Sequence, residues 1–225
     1  MKPTKYFEKV NKLLGYGDPA NGLLFIGIEP GGNNTAEQID EWKDVDYWTF
    51  KTIHDRDDAL DMPGLVGQPV AIVSSKIAVK LCKQKIAWEE YRNNVLYMPG
   101  SRAMNGNLYP IAKESAKEWG KSIEALYGVS KEHYYDYVFE YRKNAFQQLI
   151  ETHNPQAIVC YGKSNWNNFK LLLDLDGEKA VSYPDYCTEI YPLRRIILTR
   201  HFSNGMPDLT VDLIANKLRE FGVSI

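Results

Sequence analysis

Leu23-Leu24-Phe25-Ile26-Gly27-Ile28-Glu29-Pro30-Gly31-Gly32 is the stretch on which the architecture turns. Its apolar run does not alternate with polar residues, as expected of a strand covered on both faces of a parallel sheet. The Gly/Pro cluster then ends the strand at its carboxyl end, where open α/β sheets bind their ligands. The plainest reading is a buried strand and a turn with Glu29 in solvent. A phosphate loop fits poorly: Gly27 and Gly32 have the G-x-x-x-x-G spacing, but Asn33 and Asn34 stand where Lys and Ser/Thr are needed. A dinucleotide fingerprint fails because Glu29 occupies its second Gly position. A loop that presents an acid for catalysis remains, and it requires a partner elsewhere in the chain.

Working outward, two further buried strands are expected at Ala157–Tyr161 and Arg195–Thr199, and another at Asn94–Met98. Helices are expected at Thr4–Leu14, Val70–Trp88, Asn165–Leu173 and Asp208–Phe221. The most regular one, Ser130–His153, carries Tyr134, Tyr137, Val138, Tyr141, Ala145 and Leu149 at helical spacing. Ser101–Pro110 reads as a loop that offers the side-chain amides of Asn105 and Asn107. Between Thr35 and Asp61 lies an excursion with nine acids, three bases and the aromatics Trp42, Tyr47, Trp48 and Phe50. Helices alternating with apolar strands predict an α/β fold, one domain over 1–225, with helices on both sides of a parallel sheet.

Composition narrows the function classes. With 225 residues, 44% hydrophobic and 25% charged, the chain can bury a large core. A net charge of −2 does not announce a nucleic-acid partner, so any such binding would need a local basic patch. Cys82, Cys160 and Cys187 have no C-x-x-C pairing and are too few for a four-thiolate cluster, so neither an iron–sulfur cluster nor any other cofactor is expected. No histidine pair has metal-ligand spacing, and no metal is expected. The absence of a signal peptide and of a membrane-length apolar run predicts a cytoplasmic protein without membrane association. Lys76, Lys80 and Lys83, on one helical face, are candidate phosphate contacts.

A second strand end carries unusual chemistry: His201, flanked by Thr199, Arg200, Ser203 and Asn204. A parallel sheet brings its strand ends to one edge, which predicts that Glu29 and His201 meet across a cleft. An acid that orients water and a His that stabilises departing charge suit hydrolysis.

These residues carry a resemblance. Gly27-Ile28-Glu29-Pro30-Gly31 and His201-Phe202-Ser203 resemble the two active-site motifs of the uracil-DNA glycosylase superfamily. Asn107-Leu108-Tyr109-Pro110 is similar to its base-reading segment. The resemblance implies a three-layer αβα sandwich with a central four-stranded parallel sheet, and DNA containing a damaged base as partner. It implies Glu29 and His201 as catalytic residues, Asn107 reading the base edge, and Gly27, Ile28, Pro30, Gly31, Ser203 and Asn204 binding substrate, with Met206 as a wedge. Phe202 stands where the family has Pro, and the acidic excursion lies where DNA would approach. The alternatives are a non-catalytic nucleotide-, nucleobase- or protein-binding member of the same fold, and a hydrolase of free nucleosides.

Overall fold

The computed structural model describes residues 2–32, 34–42, 47–48, 67–113, 119–202 and 205–225. The fold is α/β. Strands β1 (Gly15–Gly17), β2 (Leu23–Gly27), β3 (Tyr47–Trp48), β4 (Ala103–Asn107), β5 (Ala157–Tyr161), β6 (Val181–Tyr183), β7 (Thr188–Tyr191) and β8 (Ile196–Thr199) form one sheet ordered β3-β1-β4-β2-β5-β8-β7-β6. The expected four-stranded parallel sheet is therefore corrected to a mixed one, eight-stranded among the described residues. The adjacent strands β4, β2, β5 and β8 are mutually parallel, but β1 joins β4 antiparallel, and β7 and β6 extend the other side antiparallel. The added strands are short and rich in Gly, Tyr and polar residues, so they lack the unbroken apolar run that marks a doubly covered strand.

The helices are α1 (Lys5–Lys12), α2 (Ala36–Glu41), α3 (Pro69–Val79), α4 (Trp88–Asn94), α5 (Lys121–Tyr127), α6 (Lys131–His153), α7 (Trp166–Leu172) and α8 (Asp208–Glu220). Period-2 alternation along β2 sorts them into two layers. Leu24 and Ile26 pack with α1, α6 and α7, whereas Leu23 and Phe25 pack with α3 and α8. Three elements differ from the expected ones. The helix expected over Val70–Trp88 ends at Val79, and Trp88 opens a separate helix, α4. Asn94–Met98 is not a strand but the end of α4 and a turn, in which Tyr97 adopts φ +63°. The strand lies instead in the stretch expected to be a loop, as β4.

Polar β4 is stable because its polar groups are matched. Tyr161 Oη donates to Asn105 Oδ1 at 2.8 Å, and Asn105 Nδ2 donates to Tyr16 Oη at 3.3 Å. Burial pushes the Tyr16 phenol up to about 12, so it stays neutral. The same Tyr161 hydroxyl lies over Gly27, where an added Cβ would sit 2.5 Å from it. Gly27→Ala must displace a ring that is stacked on Phe202 at 4.3 Å. We expect a loss of about 1–3 kcal/mol in denaturant unfolding; an unchanged midpoint would show the ring to be free to move.

The buried stripe of α6 is Tyr134, Val138, Arg142, Phe146 and Leu149, while Tyr137 and Tyr141 face outward. The α2 helix, inside the acidic excursion, is closed by a Thr35/Gln38 capping box. Its Asp40 pairs with Lys5 at 2.9 Å. Most of the excursion lies outside the described residues. No described helix is long and apolar enough to cross a membrane.

Candidate active site

The Gly27–Gly31 turn is zipped onto the chain that leaves β4. Leu108 N donates to Gly27 O and Tyr109 N to Ile28 O, both at 2.8 Å, and Lys113 N donates to Pro30 O at 3.2 Å. A parallel bridge joins Gly31 to Lys113. These bonds extend the β2–β4 register beyond the strands and return Lys113 beneath Glu29. Lys113 Nζ lies 2.8 Å from Glu29 Oε1, with the two side chains only 1% and 8% exposed. Tyr135 Oη, from α6, donates to the same oxygen at 3.1 Å and accepts from Lys113 at 2.8 Å.

A buried ion pair holds only where geometry and added hydrogen bonds offset lost hydration. Here Tyr135 closes the triangle, and the Lys113 ammonium stands 5.2 Å from the Tyr135 ring and 5.5 Å from that of Trp119. Burial, with Glu29 beside it, raises the Tyr135 pKa, so the phenol stays a donor. Among the described residues the side-chain hydrogen bonds of Glu29 go to Oε1, and Oε2 takes none. Glu29 is thus a carboxylate fixed at Oε1 by two donors.

That carboxylate lines a cleft of about 690 Å³. One wall is α6, with Tyr135, Asp136, Phe139 and Glu140; the other is the β5 exit and α7, with Ser164, Asn165, Asn168 and Leu171. Tyr109 and Ile28 also line it. Burial pushes the Tyr109 phenol up to about 12, leaving a neutral hydroxyl. Asn168 Nδ2 donates to that hydroxyl at 2.9 Å and to Asn165 Oδ1 at 3.1 Å, which fixes the amides.

The other expected site residues are placed as follows. His201 stands at the same strand-end edge of the sheet but does not line the Glu29 cleft. Its ring rests edge-on against Tyr161 at 5.7 Å, and Tyr161 belongs to the core layer opposite Glu29's α6 partners. Phe202 is fully buried between Tyr161 and Phe25, anchoring the loop where the family has Pro. Asn107 is half-buried at the end of β4, and its backbone N–H donates to Leu14 O at 3.1 Å. Pro30 is half-buried and Gly31 exposed. Ser203 and Asn204 lie outside the described residues. Met206 packs with α8 in the core and is not placed as a wedge. Lys76 and Lys80 are paired with Asp208 and Asp212 of α8, at 3.1 and 2.8 Å, which leaves them poor phosphate contacts.

His201 is exposed as a residue, yet partial shielding of its ring holds its pKa below the ordinary 6.5. The folded state therefore prefers neutral imidazole. The resulting stability is present above the ordinary value and is lost as pH falls through the lowered folded value. An NMR titration of the ring protons should give a midpoint below 6.5; a midpoint above it would require a carboxylate partner.

Lys113 and Tyr135 were not legible as site residues. A lone base closing the apolar run Leu108–Ala112 was the one sequence signal for Lys113. Among the described residues no group of His, Cys, Asp and Glu is placed to hold a metal ion. No protein-family model matches the chain, and no curated protein is significantly similar to it.

Proposed function

We propose that the chain hydrolyses the N-glycosidic bond of a nucleobase, on the scaffold of a divergent uracil-DNA glycosylase superfamily member. The observation that supports the chemistry is the Glu29 carboxylate at the wall of a cleft, held at Oε1 by Lys113 and Tyr135 and with no partner on Oε2 among the described residues. The adjacent parallel strands β4, β2, β5 and β8, with the two motif loops at their carboxyl ends, support the scaffold.

In the reaction a water oxygen bonds to C1′ as the C1′–N bond breaks. The bond pair leaves with the base nitrogen, and the water proton passes toward Glu29 Oε2. Lys113 balances the charge of the carboxylate while it is withdrawn from bulk water.

The resemblance supports a deaminated base in DNA as substrate. A specific observation favours the second reading, a free nucleoside: Asp136 and Glu140 line the cleft and have no cationic partner among the described residues. Carboxylates at this mouth repel a phosphodiester chain. The test is chromatographic detection of free base after incubation with uracil-, hypoxanthine- and xanthine-containing oligonucleotides and, in parallel, with free nucleosides. Base released from the oligonucleotides alone selects the DNA reading, and from nucleosides alone the second. No base from either set overturns the proposal.

A further inference from the structure

Asn168 sits at the centre of a hydrogen-bond chain along one wall of the Glu29 cleft. Its Nδ2 donates to Tyr109 Oη at 2.9 Å and to Asn165 Oδ1 at 3.1 Å, and Asn165 Nδ2 donates onward to Ser164 Oγ at 3.3 Å. Both terminal hydroxyls therefore accept from the chain and keep their own hydrogens, which have no acceptor among the described residues. Ser164 is exposed, so water competes for its hydrogen. Tyr109 is only 3% exposed and lines the cleft. Its ring stands edge-on to that of Tyr135 at 4.8 Å, and the Tyr135 hydroxyl donates to Glu29 Oε1. The carboxylate and the spare phenol hydrogen thus belong to one cluster, joined through Tyr135.

Cleavage of an N-glycoside needs a carboxylate for the attacking water and a donor for the negative charge that grows on the departing base. Glu29 meets the first need. His201, expected to meet the second, does not line this cleft. We propose that Tyr109 is the leaving-group donor, its hydroxyl held by Asn168 and its own hydrogen given to the departing base. The role rests on the cleft being the site of the proposed function, and it supplies the group that bond cleavage still lacks there. The base leaves as an anion with the C1′–N bond pair and keeps the Tyr109 hydrogen bond as it departs. It takes a proton from solvent water after release, and Glu29 returns the proton of the attacking water to solvent. The phenol itself stays protonated, because burial, reinforced by Tyr135 and the Glu29 charge, raises its pKa to about 12. A donor already oriented and shielded from water needs no reorganisation when the charge appears.

Tyr109→Phe removes the hydroxyl and keeps the ring. Its test compares two leaving bases, hypoxanthine and 7-methylhypoxanthine, each offered to the full chain as the free nucleoside and within an oligonucleotide. The methylated base is cationic while attached and departs neutral, so it needs no donor for negative charge. Chromatographic rates of base release at saturating substrate read the difference. The variant is expected to lose about 10²–10³-fold in kcat on hypoxanthine and less than about threefold on the methylated base. Release of the methylated base at the normal rate also shows that the variant's site is folded. Equal losses on both bases would make Tyr109 a structural residue, and no loss on hypoxanthine would leave it without a role; either overturns the inference while hydrolysis stands. No base released by the unmodified protein from any of the four substrates overturns the proposed function and this inference together.

Discussion

Glu29→Gln is expected to lower base release by about 10²–10⁴-fold, the range typical of removing a positioned general base. Glutamine keeps an oxygen for Lys113 and Tyr135 but removes the charge. Lys113, only 1% exposed, is then left without its counter-ion. Breaking a buried pair in this way costs about 3–5 kcal/mol, so the single variant should also melt earlier. Glu29→Gln with Lys113→Met separates the two effects, because the apolar methionine needs no partner. The double variant should recover much of the lost stability and none of the activity. If it regained activity, Glu29 would be a structural acid. Initial rates of base release and thermal melts of the three proteins check both halves.

Arg142→Ala is expected to have the largest effect on stability. The guanidinium is fully buried on α6, and its hydrogen bonds go to backbone carbonyls: Asn11 and Leu13 at 2.8 Å, Leu14 and Leu108 at 3.3 Å, and Asn107. Three of these acceptors end α1 and lead into β1; the other two end β4 and begin the loop that carries Tyr109 and returns Lys113. Burial lowers the Arg142 pKa to about 10, which still leaves it charged at neutral pH. Truncation opens a cavity and strands several buried carbonyls at about 1–3 kcal/mol each, with some relief from entering water. A loss of at least about 4 kcal/mol is expected in denaturant unfolding, a large share of a domain's total stability. Arg142→Lys, with three donors in place of five, should lose less. A change below about 1 kcal/mol for Arg142→Ala would mean that the carbonyls find other partners.

How far the sequence could be read follows from these residues. β2, β5 and β8 announce themselves because strands covered on both faces need unbroken apolar runs. β4 does not, because Asn105 is satisfied by Tyr161 and Tyr16, partners far away in sequence. The run Val95-Leu96-Tyr97 misleads in the opposite sense: its side chains are buried under a turn, not in a ladder. On α6 the exposed Tyr137 and Tyr141 mimic a packed stripe, while the true stripe contains an arginine, which no apolar periodicity includes. At the site, Glu29 was legible from its Gly/Pro turn. Its cage was not, since Lys113 and Tyr135 reach it through tertiary packing, and the expected meeting with His201 rested on strand order alone. Strand order brings both loops to one edge, but it does not say which face of the sheet each side chain takes.

We place the proposed N-glycoside reaction in the α6/α7 cleft, against Glu29. A crystal structure of the Glu29→Gln, Lys113→Met variant soaked with inosine tests that placement. The nucleoside is expected between Tyr135 and Asn168, with C1′ one water molecule away from the side chain at position 29. A nucleoside seated instead against His201 and Tyr161, with the α6/α7 cleft empty, would contradict it.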